Sequence, residues 1–127
     1  MRAMMEIACP EAAPSPGSRQ EPLREAMLRS GLAPLALAGR SLLPIVQGGM
    51  GIGVSAHRLA GSVAQCGGVG TLSCVDLRRH HPDLMERTRS LASRHGQDED
   101  TKRQIDAANL EAVSREVAAA RRIAGGA

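Results

Sequence analysis

The stretch LLPIVQGGMGIGVS, residues 42–55, sets an almost wholly apolar run directly against four glycines, Gly48, Gly49, Gly51 and Gly53. A short run of that kind suits a strand buried on both faces in a parallel sheet, with Pro44 confined to its start. Ser55 then offers an N-cap, and Leu59, Ala60, Val63 and Ala64 recur at helical spacing until Gly67 and Gly68 stop the helix. VGTLSCVD, residues 69–76, reads as a second strand. The order strand, glycine loop, helix, strand predicts a right-handed parallel βαβ unit.

The flanks are less regular. Residues 1–40 mix Pro, Ser, Ala, Gly and charges, and are expected to form a mostly disordered extension with at most a turn or two of helix at REAMLRSG. Residues 77–105 form a long charged connection that holds a short helix from about Pro82 to Arg94. A last helix follows, capped by Asp106 or Asn109. Leu110, Val113, Val117, Ala120 and Ala124 line one face, Glu111 and Arg115 make an i,i+4 pair, and Gly125 and Gly126 close it. Two parallel strands and two long helices cannot cover both faces of a sheet, so the 41–127 region is expected to be an incomplete α/β unit.

Composition excludes several classes. The 127 residues fit one domain. A net charge of +3 comes from scattered arginines, and there is no Phe, Tyr or Trp for base stacking, so nucleic acid is not expected as a partner. No stretch reaches signal-peptide or membrane-spanning length, which argues against a membrane. Cys9, Cys66 and Cys74 lack C-x-x-C spacing and form no metal pattern with His57, His80, His81 or His95, so no metal is expected and a reduced cytoplasmic setting fits.

A strand, a glycine loop and a helix N-terminus together make a ready seat for a phosphate or a cofactor, with a ligand-free turn as the plain alternative. Gly51-x-Gly53-x-x-Ala56 also fits the dinucleotide fingerprint, with Asp76 where a ribose-binding acid belongs. Against that reading, Gly48-Gly49-Met50 intervene between the strand and Gly51. A Walker A loop is excluded, because no Gly-Lys-Ser/Thr follows.

Three segments taken together resemble the nitronate monooxygenase (2-nitropropane dioxygenase) family. They are P-I-x-Q-G-G-M at residues 44–50, S-x-x-L-A-x-x-V at 55–63 and G-G-x-G at 67–70. The resemblance covers about residues 40–126. It implies the first two βα units of an FMN-binding (β/α)8 TIM barrel, apparently truncated, since a complete barrel takes roughly 250 residues. It further implies oxidation of alkyl nitronates with molecular oxygen. Flavin-dependent enoyl-thioester reductases, which share the Q-G-G-M start, are one alternative, and a non-catalytic fragment is another.

The resemblance places Gly48, Gly49, Met50 and Gly51 under the flavin ring. Glycine there admits a planar ring to the backbone, and the polarizable Met packs on its face. The family's catalytic histidine and phosphate loops lie in later strands, so no catalytic residue is expected in this chain. His57, His80, His81 and His95 are then solvated or locally bonded, Cys74 serves packing, and Asp98-Glu99-Asp100 is a solvated loop.

Overall fold

A computed structural model describes residues 16–92 and 98–125. Along the chain lie α1 (Pro16–Ser30), the strands β1 (Leu35–Leu37) and β2 (Arg40–Leu42), α2 (His57–Gln65), a 3-10 turn at Leu77–His80, α3 (Pro82–Ala92) and α4 (Glu99–Ile123). The architecture is mixed α/β, mostly helical, with a small two-stranded sheet.

The extension is more ordered than its composition suggests. α1 occupies Pro16–Ser30, and β1 pairs antiparallel with β2 in the register Leu35↔Leu42, Ala36↔Ser41 and Leu37↔Arg40. Ala38 and Gly39, at φ 49° and 75°, make the two-residue turn, the left-handed pair that a tight hairpin requires. α1 reaches the rest of the molecule where Gln20 Nε2 donates to the Gln65 carbonyl at 2.7 Å. Residues 1–15, the remainder of the expected disordered extension, lie outside the described residues.

The parallel pairing of the two apolar runs is present in shortened form. Val46 and Val69 form a single parallel bridge, in which Gln47 N–H donates to the Val69 carbonyl at 3.0 Å and Val69 N–H to the Ile45 carbonyl at 2.8 Å. Leu43 N–H adds a bond to the Gly67 carbonyl at 2.8 Å. The expected strands 42–47 and 69–76 do not extend further. Pro44 has no N–H to give, and Ile45 N–H turns back to the Leu43 carbonyl at 2.7 Å, bending the first run. A ladder also gains little length when, as among the described residues, no third strand pairs with it.

α2 crosses between the two bridged segments and packs on α4. The contact is close, since a Cβ built on Gly61 would lie 2.8 Å from Ile123 Cβ and 2.9 Å from the Ala120 carbonyl; the second bridged segment also lies close on α2, where a Cβ on Gly70 would fall 2.0 Å from the Ala60 carbonyl. α3 agrees with the helix expected from Pro82, although residues 93–97 are outside the described part.

α4 begins earlier than expected. Asp98, not Asp106 or Asn109, is its N-cap, accepting from Asp100 N–H at 3.3 Å, and Glu99 and Asp100 place negative charge in the first turn. Asp98-Glu99-Asp100 is therefore a helix start, not a loop. Asn109 Oδ1 instead accepts from Arg78 N–H at 3.2 Å. The buried stripe runs through Thr101, Ala108, Ala112 and Glu116, and Leu110, expected on it, is 68% exposed. Small side chains at i,i+4 spacing let α4 approach its neighbours, and a Leu on that line would hold them apart. The core of Leu77, Leu84 and Ala112, with Val113 against it, sits under the 3-10 turn and α3.

Candidate functional site

The loop between the bridge and α2 is held by one buried hydroxyl. Ser55 is fully buried; its Oγ accepts from Met50 N–H at 2.8 Å and from Gln47 Nε2 at 2.7 Å, and donates to the Gly48 carbonyl at 3.3 Å. Ser55 N–H donates to the Met50 carbonyl at 3.1 Å, closing the loop on itself. Gln47 spans to the second segment: Nε2 donates to the Thr71 carbonyl at 3.1 Å, and Oε1 accepts from Thr71 N–H at 3.2 Å. Ser55 is thus not the helix N-cap. Ala56 takes that position without a side-chain bond.

The four glycines separate into two kinds. Gly53 is required by the chain itself, since its φ is +77° and a Cβ there would fall 1.6 Å from His80 Nε2. Gly48, Gly49 and Gly51 are not. None has a positive φ, a Cβ on Gly48 meets nothing within 4 Å, and Cβ atoms on Gly49 and Gly51 make only ordinary contacts with Thr71 and Ser73, at 3.6 and 3.7 Å. Among the described residues no partner is found for Gly49 N–H or Gly51 N–H. Met50 lies between them, 46% exposed. The structure thus brings Gly48, Gly49, Met50 and Gly51 together on one open surface.

The N-terminus of α2 is already filled. Glu116, from α4 and only 3% exposed, accepts from His57 N–H at 2.7 Å through Oε2, which is also 2.7 Å from His57 Nδ1. His81 Nε2 lies 3.2 Å from Oε1, close enough for charge contact but not aligned as a hydrogen bond. Burial alone drives the Glu116 carboxyl up. The backbone and ring bonds from His57, with the charges of His57 and His81, outweigh it and hold the group below the usual carboxylate range. His57 is therefore hydrogen-bonded to a buried acid, His81 lies within charge contact of it, and His80 lies over Gly53; His95 falls outside the described residues. Sequence spacing carried no sign of Glu116, which stands 59 residues from its partner.

Asp76 has its own occupants. At φ 51°, its two oxygens face Arg78 at 3.1 Å and Arg79 at 2.8 Å, so neither is free for a ribose. Cys74 is exposed, contrary to the packing role expected of it, because residues 70–75 follow no strand that would bury it. Among the described residues no group of three His, Cys, Asp or Glu is placed to hold a metal ion, and no helix is long and apolar enough to cross a membrane.

No protein-family model, curated protein or solved structure matches the chain.

Proposed function

We propose that residues 41–127 provide the first two βα units of an FMN-dependent (β/α)8 oxidoreductase of the nitronate monooxygenase kind, acting on alkyl nitronates and oxygen when the barrel is complete. The observation that carries this reading is the set of three glycines, 48, 49 and 51, for which neither backbone conformation nor packing within the chain supplies a reason. A flat ring lying on the main chain supplies one. The P-I-x-Q-G-G-M segment that carries the family resemblance contains two of them.

When bound, flavin supplies the electron transfer between nitronate and oxygen. The work of this chain is to hold the loop. Ser55 and Gln47 fix residues 47–55 against Thr71, which holds Gly49, Met50 and Gly51 at the exposed surface of the loop. Filling the α2 N-terminus with Glu116 leaves the loop surface, not the helix end, as the contact for a cofactor.

The test uses the chain extended to barrel length. Gly49→Val should lower the flavin absorbance that copurifies by at least about tenfold, while Gly49→Ala, which meets only ordinary contacts, leaves helix content unchanged. Unchanged flavin in the Val variant overturns the reading.

A further inference from the structure

We infer that Glu116 is an anion-excluding residue, whose buried carboxylate occupies the N-terminal end of α2 and keeps phosphate-bearing ligands from the junction of glycine loop and helix. A helix N-terminus collects unpaired N–H groups and a partial positive charge, and in a strand–glycine loop–helix unit it is the ordinary seat of a phosphate. In this chain that seat has an internal tenant. Glu116 Oε2 takes the His57 N–H at 2.7 Å, Ala56 offers no side-chain cap, and the glutamate is 3% exposed. The groups that face it are His57 from α2 and His81 from the turn before α3, while its neighbour Arg115 is engaged with Asp83 and Glu111. The carboxylate is held toward its anionic form despite burial, because the two bonds from His57 and the charges of His57 and His81 favour the anion. An incoming phosphate meets both a filled position and a like charge.

The inference stands apart from the flavin reading, because its test contains no flavin. The probe is inorganic phosphate, titrated against sodium chloride of equal ionic strength, with thermal stability and the amide resonance of His57 as readouts. The wild-type chain should show no response to phosphate beyond that to chloride. Glu116→Ala vacates the position, and phosphate should then raise its stability and shift the His57 amide, acting at a concentration about tenfold lower or more than any effect on wild type. If Glu116→Ala is unfolded in chloride, phosphate should restore its helix content. Glu116→Gln fills the position with a neutral group and should stay as unresponsive as wild type. A phosphate-specific response in wild type, its absence in Glu116→Ala, or its appearance in Glu116→Gln overturns the inference.

Discussion

Gly53 and Gly49 sit four residues apart and answer to different demands. Gly53→Ala forces a side chain into a left-handed backbone and against the His80 ring, so it should cost about 1–2 kcal/mol in urea unfolding followed by circular dichroism. Gly49→Ala should stay within about 0.5 kcal/mol of wild type. Ser55→Ala removes a buried hydroxyl and leaves Met50 N–H without its acceptor, while Gln47 Nε2 keeps the Gly48 and Thr71 carbonyls, a loss of about 1–3 kcal/mol in the same measurement. The glycine cluster was legible in the sequence because a backbone that must bend or be approached leaves a local signature. The Ser55 clamp was not, because a serine before a helix carries the same signal whether it caps the helix or braces the loop behind it. Asp76→Ala in the barrel-length protein should leave flavin binding within about 1 kcal/mol of wild type, since its oxygens are engaged by Arg78 and Arg79.

At the scale of elements, α2 follows from apolar spacing and a glycine stop and α3 from the helix expected at Pro82 within the charged connection, whereas the start of α4 and the face it buries do not follow. Asp98 is a cap that the charged connection concealed, and Ala108, Ala112 and Glu116 make a stripe that hydrophobicity alone passes over, since its central member for α2 is an acid. The acid has a consequence in pH. Its folded-state pKa lies below that of the unfolded chain, so its contribution is fully present above the unfolded value of about 4.3 and is lost as pH falls through the lower folded value. Thermal unfolding of wild type should therefore fall off below about pH 4.3, and Glu116→Gln should flatten that limb of the profile. A variant that keeps the full acid dependence would assign the effect to other carboxylates. The exposed Arg115–Asp83 and Arg87–Glu111 contacts bridge α3 and α4 but are open to screening, and they should weaken visibly in salt.

Across the whole molecule, apolar surface is left uncovered around the parallel bridge. Ile45, Val46, Ile52, Val54 and Val75 are each at least half exposed, while the buried apolar cluster among the described residues is the small group of Leu77, Leu84 and Ala112. Such a patch invites association. The chain on its own should elute as concentration-dependent oligomers and melt broadly, with a sharp monomeric transition by circular dichroism as the contrary result. The parallel order of the two apolar runs was readable from their separation by one helix, but their length was not, because a ladder's extent depends on neighbours that a pair of runs does not name.

The bridge between Val46 and Val69 joins residues separated by the entire α2 crossover. Closing it brings together segments that are distant along the chain, so its hydrogen bonds depend on the α2 crossover being in place. The hairpin of β1 and β2 waits on nothing but its own turn. Amide hydrogen exchange should therefore show two clocks in this chain, with the hairpin amides opening by local fraying and Gln47 and Val69 exchanging more slowly, through opening of the α2 crossover; equal protection of the two sets would remove the distinction.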